Sequence, residues 1–188
     1  PRSYELFGVA GASVMGTALK SPGDLCVSGE EIYIADTGNN RIVVLDSAFR
    51  FLREWSGADS PHGRVDFSAP EGVFVTQDGR VIVADSGNGR LVVTDREGAY
   101  LDAYGAPQTD VLPDDFLYRP VKVAADRAGR LFVVSENFNM GLLEFNREGN
   151  FIRTLGASKV QVTLFDLFWR LVSTQEQKDR MAQFVPTE

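Results

Sequence analysis

The side chains of this sequence that could bind a ligand or a metal ion are mainly the carboxylates and amides of its glycine-containing turns. Oxygen ligands of this kind suit a calcium ion or hydrogen bonds to a polar ligand. His62 is the only histidine, which excludes a zinc site built from several histidines. The sequence also contains no Gly-x-Ser-x-Gly turn that would present a nucleophilic serine. The sequence therefore predicts no catalytic residue, and calcium is the one cofactor that its residue types leave open.

Two pairs of opposite charges recur at one spacing. Asp36 precedes Arg41 by five residues, and Asp85 precedes Arg90 in the same way. Each pair would span a short turn that contains Gly and Asn, the residue types that tolerate a left-handed backbone. A residue that recurs in unit after unit is more typical of a scaffold than of a unique site. We therefore interpret both pairs as structural ion pairs that close a turn.

These pairs belong to a repeat of about fifty residues that occurs three times. The copies open on Pro22, Pro70 and Pro120, and each one closes on a run that ends in glycine. Residues 36–46 match residues 85–95 position by position, whereas the third copy has lost both the Asp and the Arg. Each copy contains four short β-rich runs that are separated by turns of Gly, Asp and Asn.

The β-rich runs carry apolar residues on both alternating faces, as in residues 42–45. A sheet with one wet face would instead show a polar residue at every second position. The runs follow each other too closely for crossover helices, which disfavours a parallel βαβ arrangement. Four-stranded sheets that are covered on both sides and stack around an axis form a β-propeller. The sequence therefore predicts an all-β propeller.

The repeat also resembles a known family. The pattern Pro-x-x-Leu/Val, then Ala-Asp-Thr/Ser-Gly-Asn-x-Arg-Ile/Leu-Val-Val, then a closing Trp-Ser-Gly or Tyr-Gly, is similar to the NHL repeat over about residues 21–156. The resemblance implies four-stranded propeller blades in a ring that is most often six-bladed. Three blades are visible here, and we expect them to be part of such a ring, with a fragment of a longer propeller favoured over two arcs that pair to close it. The extent of the repeat divides the chain into a linker or outer strand of a preceding blade (1–20), three blades (21–57, 58–105 and 106–156) and a remaining segment (157–188), which we interpret as a helical connector.

The last part of the chain departs from the repeat. Residues 162–172 place large apolar side chains at helical spacing, and a capping box at residues 173–176 predicts a second helix to about residue 183. We interpret this segment as a connector on the rim of the propeller. An interaction helix for a partner or a second protomer is the alternative.

Loops at one end of the blades are the expected ligand-binding face. In a propeller, the loops between the second and third strands share a face with the loops that lead into the innermost strands. Long lead-in loops over 56–69 and 106–119 should lie over this face. The third copy departs from the repeat at 135–140, which indicates either a specific function or simple degeneration. The expected face contains Asp24, Asn39, Glu71, Asn88, Lys122, Glu136 and Asn139.

The charge balance of the chain limits the classes of binding partner that we expect. The chain has 19 basic and 26 acidic residues and a net charge of −7, which disfavours nucleic acid and anionic membranes. No stretch reaches the length of an apolar membrane span. The leading hypothesis is a scaffold that binds a protein or a small ligand and needs no cofactor. A calcium-dependent gluconolactonase-like hydrolase is the alternative, and an RNA-binding NHL domain is the third. Open blade faces or the C-terminal helix could support self-association.

Overall fold

The computed structural model describes residues 17–113, 116–136, 138 and 141–156. These residues form three antiparallel sheets of four strands each and one separate hairpin, which confirms the predicted all-β class. The helices predicted over 162–183 lie outside the described residues. No helix in the described part of the chain is long and apolar enough to cross a membrane.

The strands follow the chain without crossovers, so that each sheet is a simple meander. Blade 1 consists of β1 (Asp24–Ser28), β2 (Glu31–Asp36), β3 (Arg41–Asp46) and β4 (Phe51–Trp55). Blade 2 consists of β7 (Pro70–Val75), β8 (Val81–Asp85), β9 (Arg90–Thr94) and β10 (Tyr100–Tyr104). Blade 3 consists of β11 (Pro120–Ala125), β12 (Leu131–Ser135), β13 (Leu142–Phe145) and β14 (Phe151–Leu155). Two short 3-10 turns, Thr37–Asn39 and Ser86–Asn88, join the second strand to the third in blades 1 and 2.

The middle blade shows why the runs are apolar on both faces. Val83 of β8 packs into a cluster with Tyr33 and Ile42 of blade 1. Its neighbour Ile82 packs into a second cluster with Val133 of blade 3. Adjacent residues of a strand point to opposite faces, so one strand supplies side chains to both clusters. Each fully buried Val, Leu or Ile contributes about 1.5–3 kcal/mol, and this burial stabilises the stack.

The lead-in to blade 2 contains a hairpin. The sequence predicts an irregular loop over 56–69, whereas the structure pairs β5 (Gly57–Ser60) with β6 (Gly63–Asp66). Arg64 lies opposite Asp59 in this hairpin, and their side chains form an ion pair of 3.2 Å. A short pairing of this kind leaves no hydrophobic alternation in the sequence, because Ala58 and Val65 carry the only apolar side chains among its eight residues.

Candidate ligand-binding face

The first strands of the three blades lie side by side, with β7 between β1 and β11. The Val73 amide of β7 donates to Asp24 Oδ2 of β1 over 3.2 Å, and the Val75 amide lies 3.4 Å from Cys26 Sγ. On the other side of β7, Gly72 is so close to β11 that a Cβ atom would lie 2.8 Å from the Val121 carbonyl oxygen. Residues at the start of these strands therefore come from three blades and meet at one end.

Asp24 and Lys122 form an ion pair between blades 1 and 3. Lys122 Nζ lies 2.9 Å from Asp24 Oδ1 and donates a second bond of 2.8 Å to the Gly23 carbonyl. The two residues occupy equivalent positions, since each stands two residues after the proline that opens its repeat. Gly72 is the equivalent residue of blade 2, and it puts no side chain between them.

Arg119 connects two more of the predicted carboxylates. Its Nη2 donates to Glu71 Oε1 over 2.6 Å, and its Nε lies 2.8 Å from Glu136 Oε2. The hydrogen bond to Glu71, together with the charges of both carboxylates, raises the pKa of Arg119 above its ordinary value. The sequence analysis missed Arg119, and the one available signal was a basic residue directly before the opening Pro120 of its repeat.

These side chains form one surface, which we call the charged rim: Asp24, Glu71, Arg119, Lys122 and Glu136. Gly23 lies between its two clusters, because its carbonyl accepts from Lys122 and a Cβ atom added to it would lie 2.9 Å from the Glu71 carbonyl oxygen. Three carboxylates and two cations leave one negative charge. The side chains of Lys122 and Glu136 are 48% and 47% exposed. The rim therefore presents both signs of charge to solvent.

The two asparagines predicted for this face are engaged within the scaffold. Asn39 Nδ2 donates to Asp36 Oδ2 over 2.8 Å and to the Ala18 carbonyl over 3.0 Å. Asn88 Nδ2 makes the corresponding bonds, to Asp85 Oδ2 over 2.9 Å and to the Asp66 carbonyl over 3.1 Å. Both amides thus tie the turn after the second strand to the segment that leads into the blade. Asn139 lies outside the described residues.

The aspartates of the recurring charge pairs are buried beside these asparagines. Arg41 Nε lies 2.7 Å from Asp36 Oδ2, and Arg90 Nε lies 2.8 Å from Asp85 Oδ2. Both aspartates are fully buried. Each second carboxylate oxygen accepts a backbone amide of the lead-in segment, from Lys20 in blade 1 and from the equivalent Ser68 in blade 2. A buried charge needs such partners, so each pair holds its turn and the incoming chain together.

Blade 3 binds its lead-in segment through a neutral side chain instead of a buried carboxylate. Ser135 stands at the position of Asp36 and Asp85, and its Oγ accepts the Arg119 amide over 3.0 Å. The Glu136 amide donates to the Arg119 carbonyl over 2.8 Å. A neutral hydroxyl needs no counter-ion, which accounts for the loss of both the Asp and the Arg from the third copy. The next residue, Glu136, stands where blades 1 and 2 have Thr37 and Ser86, and its carboxylate belongs to the charged rim.

Within the ranges that the structure describes, no group of three or more His, Cys, Asp or Glu side chains is arranged to hold a metal ion. The carboxylates of the charged rim instead face Lys122 and Arg119. His62 lies in the turn of the β5–β6 hairpin and is exposed.

The stacked four-stranded sheets define the chain as a set of propeller-like blades. The model of the NHL repeat matches residues 19–45 and 67–97, which confirms the resemblance seen in the sequence and shows that these two segments are NHL repeats. No curated protein sequence matches it significantly.

Solved structures support the same architecture. Hydrazine synthase of Kuenenia stuttgartiensis is similar with a TM-score of 0.53 and 14% identity over 78% of this chain and 38% of that one. A catalytically inactive virginiamycin B lyase of Staphylococcus aureus, solved with quinupristin, has a TM-score of 0.54 and 16% identity over 82% of this chain and 45% of the lyase. The protein U3-55K has a TM-score of 0.56 and 15% identity over 76% of this chain and 41% of U3-55K. At these identities the likeness shows the fold alone, and the chain spans less than half of each of these proteins.

Proposed function

We propose that this chain is a binding scaffold whose charged rim holds a polar segment of a partner protein. The observation that carries the proposal is the convergence of five charged side chains, from three blades, at one end of the innermost strands. The middle blade beneath them is packed against blade 1 on one face and blade 3 on the other, which holds these groups in a fixed arrangement. Such loops on a rigid framework are common sites of recognition.

The charges of the rim favour a peptide over a purely anionic or cationic ligand. Lys122 and Arg119 can each turn part of their hydrogen-bonding capacity toward an incoming carboxylate or carbonyl, because both are about half exposed. Glu136, which is equally exposed, can accept from an amide or an ammonium group. A peptide segment offers donors and acceptors together, and it can therefore satisfy both signs of charge at once.

Selection of peptides on the immobilised full chain tests this proposal. The probe is a phage-displayed library of random peptides, and the selected sequences are then synthesised and measured by calorimetry. We expect Lys122→Ala and Arg119→Ala to weaken binding by about tenfold each, the equivalent of roughly 1.4 kcal/mol. Arg127→Ala is the matched control, because Arg127 is an exposed cation just beyond the other end of β11.

The control variant should bind the selected peptides as well as the unaltered chain does. Peptides that bind the unaltered chain, the two rim variants and the control variant equally would show that the rim is not the binding surface. Salt-sensitive retention on polyuridylate, with no peptide selected, would instead favour the RNA-binding hypothesis.

A further inference from the structure

The loop that leads into blade 3 exposes a large apolar side chain next to the charged rim. Leu117 is 76% exposed, more than any other large apolar side chain among the described residues. Tyr118 points into the core between blades 2 and 3 and is 4% exposed. Its neighbours along the chain, Leu117 and Arg119, both reach solvent. Leu117 therefore lies directly beside a residue of the rim.

The position of Leu117 is open to solvent in all three blades. Arg119 corresponds to Ser68 of blade 2, because the amide of each donates to the last residue of the second strand of its blade. Leu117 accordingly corresponds to Asp66, whose side chain is 69% exposed although blade 2 has a blade packed on each face. Ala18, the corresponding residue of blade 1, is also exposed. Blades 1 and 2 thus place a small or a charged residue at this open position, and blade 3 places a large apolar one.

Aromatic packing holds this loop in place. The rings of Phe116 and Phe138 meet edge to face, with their centroids 5.4 Å apart, and Phe138 is buried in the core cluster between blades 2 and 3. Phe138 stands at the position of Asn39 and Asn88. In blades 1 and 2 these asparagines donate to carbonyls of the lead-in segment. Blade 3 therefore replaces an amide contact with an apolar one, and Phe116 and Tyr118 anchor the backbone on both sides of Leu117.

Two departures of the third copy from the repeat meet at this loop. The segment 135–140 contributes Glu136, whose carboxylate lies 2.8 Å from Arg119 Nε, and Phe138, which packs on Phe116. The lead-in loop contributes Leu117. Degeneration of one segment does not by itself produce matching contacts in the other, so we interpret the two changes as parts of one site.

The carboxylates around Arg119 leave room for a cation. Glu71 Oε1 and Glu136 Oε2 face the Arg119 guanidinium, whereas no described residue donates to Glu71 Oε2 or Glu136 Oε1. Two carboxylates that share one guanidinium leave a negative charge close to Leu117. A lysine or arginine side chain of a ligand can donate to these oxygens. The net charge of −7 also favours the approach of a basic ligand.

We propose that the partner segment of the charged rim is amphipathic. A large apolar side chain packs on Leu117, and a lysine or arginine close to it in sequence binds Glu71 and Glu136. This inference rests on the proposed function and names the class of peptide that the rim selects. Burial of apolar area supplies affinity, and the anchored loop lowers the entropic cost of binding. The carboxylates supply the preference for a basic residue.

Peptides selected from a phage-displayed random library on the immobilised full chain, and then synthesised, test the proposal by calorimetry. We expect the selected sequences to share a large apolar residue with a lysine or arginine nearby. Leu117→Ser and Glu136→Gln should each weaken binding by about tenfold. Leu101→Ser is the matched control, since Leu101 is 49% exposed on the outer strand of blade 2, and it should bind as the unaltered chain does. Circular dichroism checks that every variant is folded.

A double-mutant cycle separates a direct contact from an indirect effect. Replacing the apolar residue of the peptide by serine should weaken binding to the unaltered chain by about tenfold and should have little effect on binding to Leu117→Ser. Equal effects on both proteins would overturn the inference, as would selected peptides that are acidic or wholly polar. If Lys122→Ala and Arg119→Ala weaken binding and Leu117→Ser does not, this inference fails and the proposed function stands. If none of these variants weakens binding, both fail.

Discussion

Asp24 and Lys122 occupy the same position in the first and third blades, and their side chains nevertheless meet at 2.9 Å. Gly72 holds that position in the blade between them. Lys122 belongs to β11, and its amine reaches the start of β1 on the far side of β7. The pair therefore links the two ends of the stack and gives the charged rim part of its shape.

Replacing Gly72 by alanine should destabilise the stack. A Cβ at this position would lie 2.8 Å from the Val121 carbonyl oxygen and 3.1 Å from both Ala84 Cβ and Lys122 Cα, and backbone atoms cannot move aside easily. We expect a loss of about 1–3 kcal/mol in the free energy of unfolding, measured by urea denaturation. Gly105→Ala is the control, because a Cβ there meets nothing within 4 Å. Equal stability of the two variants would contradict the prediction.

Replacing Asp36 by alanine should be more damaging than the loss of a surface carboxylate. Its Oδ2 accepts from Arg41 and Asn39, and its Oδ1 accepts from the Lys20 amide. Removal leaves the nearly buried Arg41 guanidinium with the more exposed Glu54 as its counter-ion and takes the acceptor from the Lys20 amide. We expect a loss of about 3 kcal/mol, again measured by urea denaturation. Asp59→Ala serves for comparison, because the exposed Asp59 pairs with Arg64 on the hairpin and should change stability little.

Glu31 should make the stability of the contact between blades 1 and 2 depend on pH in the acid range, because its carboxylate lies 3.2 Å from Arg96 Nη1 of blade 2. The hydrogen bond from Arg53, aided by the Tyr33 hydroxyl, lowers the pKa of Glu31 from 4.5 to about 2 despite partial burial. A lowered folded-state pKa contributes stability above pH 4.5, and this contribution is lost as the pH falls from 4.5 through about 2. The melting temperature of Glu31→Gln should therefore lie below that of the unaltered chain at neutral pH.

The difference between the two melting temperatures should shrink as the solution is acidified through this window. Glu30→Gln is the neighbouring control, because Glu30 is exposed in the same turn and should give no such pH-dependent difference. A Glu31→Gln difference that stays constant across the window would show that the Glu31 charge does not stabilise the contact.

Calcium should leave the thermal stability of the chain unchanged. The carboxylates of the charged rim already face Lys122 and Arg119, and a cation would have to displace these partners to bind. Thermal unfolding with added calcium chloride, compared with magnesium chloride and with a chelator, measures the effect. Stabilisation specific to calcium by more than a few degrees, accompanied by turnover of gluconolactone, would instead support the lactonase hypothesis.

The sequence by itself determined the blade as the unit of this protein. Apolar residues on both faces of short β-rich runs, broken by glycine-rich turns, leave sheets with neighbours on either side as the arrangement that buries them. These are local patterns, since each strand pairs with the next one along the chain. The NHL resemblance follows from the same local signals, and the family model confirms it over 19–45 and 67–97.

Only the tertiary structure decided which charged side chains meet. Lys122 is 99 residues from the Gly23 carbonyl that it contacts, and Arg119 is 48 residues from Glu71. Periodicity assigns a residue to a strand and a face, but it carries no information on the distance between side chains of different blades. The sequence did not predict Arg119 as a residue of the charged rim, because its contacts depend on how closely β7 and β11 pack and not on any pattern around Pro120.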